Sequence, residues 1–230
     1  AGAYDTAMAE HAISLILAST RLISHFERNR KTRTWERNRT VTQIEGKCVC
    51  VLGLGSIGRG MVSRLHALGM EVIAVDAQVE TPPEGVDRIF KPEGMLEALS
   101  LADVVAVALP LNARTKGLLN AECFDHMKET ALVVNVARGG IINESDLIQA
   151  LQSNKIGGAG LDVFEQEPLP ESSPLWDMEN VVLTPHVAGW SAEGWDNQGD
   201  IFVENLRRYL EGEPLLNVVD KRLGYLVQKP

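Results

Sequence analysis

Cys48-Val-Cys-Val-Leu-Gly53-Leu-Gly55-Ser-Ile-Gly58-Arg-Gly-Met-Val-Ser-Arg-Leu-His-Ala-Leu-Gly69-Met-Glu-Val-Ile-Ala-Val75-Asp76 decides the fold. A short β-rich apolar run meets a glycine turn. A segment of helical period follows, with Ile57, Met61, Leu65 and Leu68 on one face, and the apolar run at 72–75 ends in an acid. This is a strand–helix–strand unit carrying G-x-G-x-x-G, the dinucleotide fingerprint. Gly53 permits the tight turn. Gly55 lets a pyrophosphate approach the backbone, where free N–H groups at the helix N-terminus bind it. Gly58 lets helix and strand pack closely. Asp76 would accept hydrogen bonds from the adenosine ribose hydroxyls and repel a 2′-phosphate, which predicts NAD over NADP. The competing reading is a similar fold holding another adenosine ligand, such as S-adenosylmethionine.

Working outward, strands and helices alternate. Apolar runs at 103–109, 131–136, 157–163 and 181–183 fit strands buried on both faces of a parallel sheet. Helical segments are expected at 93–100, 121–127 and 143–152, the last capped by Asn143. The loop Thr81-Pro82-Pro83-Glu84-Gly85 separates two of these units. The pattern predicts an α/β fold, a doubly wound parallel Rossmann sheet. Upstream, residues 6–28 read as one helix with a broad apolar face, which a partner subunit would cover, so a homodimer is expected. Residues 28–39 are basic (Arg28, Arg30, Lys31, Arg33, Arg37, Arg39) and read as a solvated connection or a contact with that subunit, with Trp35 anchoring it to the body. Downstream, an amphipathic helix spans about 193–210, with Ile201, Phe202, Leu206 and Leu210 on one face. The tail, 214–230, is short and mixed.

Composition narrows the function. A net charge of −9 disfavours a general nucleic-acid binder. The apolar stretch at 12–18 is too short to span a bilayer, so no membrane partner is expected. Cys48, Cys50 and Cys123 form no C-x-x-C, and two lie in the first strand. They read as reduced core residues of a cytoplasmic protein, not as metal ligands or disulfides.

Ligands of open α/β sheets bind at the carboxyl ends of the strands. Asp76, Arg138, Asp162 and His186 fall at or just past such ends, and Glu167 lies five residues beyond Asp162. Each has a simple alternative: a surface arginine, a turn-forming aspartate, a loop acid, a structural histidine. Together they suit carbonyl reduction. A histidine can protonate the developing alkoxide, a carboxylate can fix its tautomer, and an arginine can hold a substrate carboxylate. His11, His25, His66 and His126 show no comparable setting and read as structural or surface residues.

The chain resembles the D-isomer-specific 2-hydroxyacid dehydrogenase family. The stretches that carry the resemblance are Ala9-Glu10-His11-Ala12, Gly46-Lys47 with the glycine turn, Leu109-Pro110-Leu111, 134–140, 160–168 and 184–189. It implies that Arg138 binds the substrate, Glu167 pairs with the histidine and His186 is the acid/base. It also implies a cofactor cleft involving Gly53, Gly55, Ser56, Ile57, Gly58, Asp76, Leu109, Pro110, Thr115, Val136, Ala137, Arg138, Asp162, His186 and Gly189. Asn112 stands where the family often has Thr. The implied function is NAD-dependent hydride transfer with a small 2-keto or 2-hydroxy acid such as glyoxylate, hydroxypyruvate or pyruvate. The implied domains are a NAD-binding unit at 1–188, with 6–28 as dimerisation helix, and a helix and tail at 189–230. That helix would return to a substrate domain whose N-terminal segment this sequence lacks, leaving its apolar face uncovered. Two further readings stand beside it: a NAD(H)-binding, non-catalytic oligomerising module, and an adenosine-ligand hydrolase of related fold.

Overall fold

The apolar runs become the strands of one sheet in the computed structural model, which describes residues 2–38 and 40–220. The strands are β1 (Cys48–Leu52), β2 (Glu71–Val75), β3 (Arg88–Phe90), β4 (Val104–Val107), β5 (Leu132–Asn135), β6 (Gly158–Leu161) and β7 (Val181–Leu183). They form a seven-stranded sheet in the order β3-β2-β1-β4-β5-β6-β7. Every pair is parallel. The chain reverses its direction of travel between β1 and β4, which opens the crevice where such sheets bind ligands.

Side-chain alternation splits the core in two. Cys48, Cys50, Leu52, Val105, Val107 and Val133 face one layer. It is built from α4 (Met95–Leu101), α5 (Ala121–His126) and α6 (Glu144–Gln152). Val49, Val51, Val104, Ala106 and Val134 face the other, formed by α1 (Asp5–Thr20) and α3 (Ser56–Ala67). Asn143 caps α6 as expected, its side chain accepting from Asp146 N–H. Small residues set the second layer's spacing. A Cβ on Gly160 would lie 2.9 Å from Leu15 Cβ, so α1 sits directly on β6.

Several expectations need correction. The helix at 6–28 is two helices, α1 and α2 (Ile23–Thr32), with Leu22 between them in the left-handed region at φ 53°. Trp35 does not anchor its segment; it is 91% exposed. Arg28, Arg30 and Lys31 belong to α2 rather than to a connection, and Arg39 lies outside the described residues. Leu68 follows the end of α3 and is exposed. One strand, β3, was not anticipated.

The C-terminal helix, α7 (Ala192–Glu211), is capped by Ser191, whose hydroxyl accepts from Gly194 N–H, and it ends at Gly212 with φ 69°. Its first half docks on the N-terminal segment, where Tyr4 Oη donates to Gln198 Oε1 at 2.6 Å, and its second half holds the segment that follows it, where Asn205 Oδ1 accepts from Leu216 N–H at 2.7 Å. Trp195, Phe202, Leu206, Tyr209 and Leu210 are exposed. Residues 221–230 of the expected tail lie outside the described residues. Among the described residues no helix is long and apolar enough to cross a membrane.

Candidate functional site

The glycine turn at the end of β1 builds one wall of a cleft of about 1430 Å³ at the carboxyl edge of the sheet. Its three glycines have separate physical reasons. Gly53 has φ 97°, and a Cβ there would sit 2.9 Å from Ala108 O. A Cβ on Gly58 would sit 1.9 Å from Gly53 O, so only glycine allows α3 to start this close to the strand. At Gly55 nothing lies within 4 Å of a Cβ position. The open face of Gly55, at the N-terminus of α3, is therefore a cradle that a side chain would fill and a pyrophosphate fits. Ser56, Ile57, Leu109, Pro110, Val136, Ala137 and Arg138 line the same cleft.

Asp76 lies at the end of β2, in the cleft wall. Its Oδ2 accepts from Leu54 N–H at 2.8 Å, and its Oδ1 accepts from Gln78 and Val79 N–H at 2.8 and 3.0 Å. Burial opposes ionisation, but these three N–H groups and the nearby Arg59 charge outweigh it and hold the carboxyl below the usual range. Asp76 thus shapes the glycine turn from behind as well as facing the cleft. Thr115 also serves the wall: its hydroxyl donates to Pro110 O at 2.6 Å and accepts from Asn112 N–H at 2.9 Å.

The other polar residues form a second cluster beyond the cleft wall. His186 Nδ1 lies 2.6 Å from Glu167 Oε2, and Glu167 Oε1 accepts from Phe164 N–H at 3.0 Å. Burial pushes the Glu167 carboxyl up, but the hydrogen bonds from His186 and Phe164 and the charges of His186 and Arg138 outweigh it and lower it. An ionised carboxylate only accepts, so His186 carries its hydrogen on Nδ1 and turns Nε2 to other work. Arg138 joins this cluster to the cleft, since it lines the cleft and its charge acts on Glu167. Its guanidinium donates to Ala137 O at 2.6 Å. The Arg138 and Glu167 loops touch backbone to backbone: a Cβ on Gly139 would lie 1.8 Å from Phe164 O.

Asp162, expected near the cofactor, is wholly buried behind the histidine loop. Its Oδ1 accepts from Thr184 Oγ1 at 2.6 Å and Val187 N–H at 2.9 Å, and its Oδ2 from Ala188 N–H at 2.8 Å. His186 N–H donates to Asp162 O at 2.8 Å. These bonds hold His186 at φ 55°, a region that non-glycine residues rarely adopt. Gly189 follows this loop and packs on Tyr4.

Sequence reasoning passed over two features. His11, set aside as structural, reaches Thr184 Oγ1 at 2.8 Å. Its adjacency to Ala12 on the inward side of α1 was the available signal, but a partner 173 residues away leaves no local pattern. Glu144 and Glu165 were also missed: each accepts the other's backbone N–H at 3.0 Å, fastening α6 to the loop that carries Glu167.

Comparison with known proteins agrees with this fold. Residues 13–188 match the model of the D-isomer specific 2-hydroxyacid dehydrogenase NAD binding domain. A D-3-phosphoglycerate dehydrogenase of Archaeoglobus fulgidus is 37% identical over 221 residues, 95% of this chain and 42% of that protein's length. A glyoxylate reductase of Thermofilum pendens is 34% identical over 227 residues, covering 96% of this chain and 67% of that protein. The crystal structure of a D-isomer specific 2-hydroxyacid dehydrogenase from Xanthobacter autotrophicus Py2, in complex with NADPH and MES, superposes with a TM-score of 0.86 at 38% identity. That match covers 96% of this chain and 90% of the other. With its glycine turn, its seven parallel strands and this match over residues 13–188, the chain belongs to the D-isomer specific 2-hydroxyacid dehydrogenase family.

Proposed function

We propose that this protein interconverts a small 2-keto acid and its 2-hydroxy acid, using NAD(H). The observation that carries the reading is the His186–Glu167 pair at 2.6 Å, with Arg138 bridging from that pair to the cleft. When bound, the nicotinamide supplies the hydride. Arg138 holds the substrate carboxylate and polarises the carbonyl. His186, with Nδ1–H on Glu167, gives the proton on Nε2 to the developing alkoxide. Glu167 stabilises the imidazolium that precedes the transfer. The open face of Gly55 with the N–H groups of Ser56 and Ile57 takes the pyrophosphate, and Leu109, Pro110, Thr115, Val136 and Ala137 form the walls beside it. Asp162 and Gly189 shape the loop nearest the nicotinamide.

The Asp76 carboxylate in the cleft wall favours NAD, because its negative charge would repel a 2′-phosphate. The Xanthobacter structure holds NADPH, so this preference is the finer part of the proposal. Residues 1–188 would form the cofactor unit and 189–230 would return to a substrate domain, which fits the exposed apolar face of α7. The same reading makes the protein a cytoplasmic homodimer joined through α1 and α2; its three buried free thiols suit a reducing compartment.

The test is NADH oxidation by the intact protein against glyoxylate, hydroxypyruvate and pyruvate, beside a calorimetric titration with NADH and NADPH. Turnover that disappears in Arg138→Gln and His186→Gln supports the reading. Tight NADH binding with no turnover on any 2-keto acid makes the protein a binding module instead.

A further inference from the structure

We propose that His11 is a positioning residue for His186, acting through Thr184 and Asp162; this rests on the catalytic reading of His186 given above. His11 Nε2 lies 2.8 Å from Thr184 Oγ1, which lies 2.6 Å from Asp162 Oδ1, and His11 Nε2 also approaches that same Asp162 oxygen directly, at 3.5 Å. The chain of bonds has one direction. Both Asp162 oxygens accept backbone N–H groups of the histidine loop, from Val187 and Ala188. The Thr184 hydroxyl has a single hydrogen and gives it to Asp162, so it can only accept from His11. His11 therefore donates from Nε2, and polarisation runs from α1 through Thr184 and Asp162 into the two peptides that follow His186.

The loop needs such support. His186 adopts φ 55°, a conformation that persists in a non-glycine residue only where its surroundings over-determine it. Asp162 supplies that constraint while being 0% exposed. Its carboxylate has no water to replace a lost partner, so each donor around it matters more than at a surface. His11 is also well placed to act as a fixed point. Leu15, one turn further along α1, sits 2.9 Å from where a Gly160 Cβ would be, and Gly160 lies two residues before Asp162 on the same strand. A side chain wanted only for packing at position 11 would not need to be a donor; the hydrogen bond does.

The experiment compares His11→Leu, Thr184→Val, their double variant and His11→Gln in the intact protein. The expected result is a kcat about tenfold lower in both single variants, with KM for the 2-keto acid and Kd for NADH within about twofold of wild type. The double variant falls by less than the sum of the two single losses, because both residues converge on Asp162. His11→Gln, which keeps a donor, recovers part of the loss. A second readout does not depend on turnover: the ring 15N shifts of His186, assigned among the five histidines. The wild type shows one tautomer with hydrogen on Nδ1, and His11→Leu and Thr184→Val shift it towards a mixture. Unchanged kcat and unchanged His186 shifts in folded His11→Leu, or additive losses in the double variant, overturn the proposal. If His11→Leu does not fold, Thr184→Val against Thr184→Ser makes the same comparison, and equal behaviour of those two overturns it. If the wild type turns over no 2-keto acid, the proposed function fails while the 15N shifts still decide this one.

Discussion

Glu167 faces two donors at once: its Oε2 takes His186 Nδ1–H at 2.6 Å and its Oε1 takes Phe164 N–H at 3.0 Å. The backbone bond prevents the carboxylate from turning away, so the imidazole has one orientation available. Glu167→Gln keeps the shape but removes the charge that stabilises the imidazolium. The expected outcome is a kcat about a hundredfold lower, with NADH affinity within about twofold, measured by steady-state kinetics beside calorimetry.

Gly55 and Gly58 separate cofactor binding from folding. Gly55→Ala meets no atom within 4 Å, so stability stays within about 0.5 kcal/mol of wild type. The added methyl occupies the pyrophosphate's place, and NADH affinity falls at least about tenfold. Gly58→Ala puts its Cβ 1.9 Å from Gly53 O, which forces strand and helix apart and costs about 3 kcal/mol. Urea unfolding of the two variants, with NADH titration of each, checks both outcomes.

Asp76→Asn replaces Oδ2 or Oδ1 by an amide that cannot accept. At least one backbone N–H loses its partner, a loss of about 2 kcal/mol for bonds to a charged acceptor. Its sign with pH follows from the lowered carboxyl. A folded-state value below the unfolded one gives stabilisation that is complete above about pH 4 and is lost as pH falls through the lower, folded value. The stability gap between wild type and Asp76→Asn therefore closes in strong acid. At neutral pH the variant also loses preference for NADH over NADPH.

Burial raises the Cys48 thiol to about 11, helped by the Glu71 charge, and burial pushes Cys50 and Cys123 up as well. Thiolate, not thiol, is the reactive form. The native protein at about pH 8 is expected to resist iodoacetamide, and all three cysteines to react once urea unfolds it. Mass spectrometry of the two digests reads this directly. Rapid labelling of Cys50 in the native state would show that β1 opens.

The sequence carried the sheet interior well because strands buried on both faces write continuous apolar runs. β1, β4 and β5 are such runs, while β7, at the sheet edge, is buried only at Val181. It missed β3, whose three residues are exposed, intermediate and buried in turn, too few to establish a period. It missed the break at Leu22 because a left-handed residue there is leucine rather than glycine, and nothing local marks it. The residues at strand ends were legible from topology. Their partners were not: that Asp162 faces inward to Thr184, Val187 and Ala188, and that His11 joins them, depends on α1 lying across β6. Hydrogen bonds spanning most of the chain follow from the folded arrangement, not from spacing.

Gly139 and Phe164 meet with so little room that one hydrogen is all the space between them admits. The spacing of the two backbones that carry Arg138 and Glu167 is consequently set by this peptide contact rather than by the packing of the core. Repacking the apolar layers on either side of the sheet can soften the molecule or lower its melting point without changing that separation. Homologous sheets of quite different core composition could thus carry the same pair of groups in the same register, and a drifted core would reveal itself in stability long before it reached the chemistry.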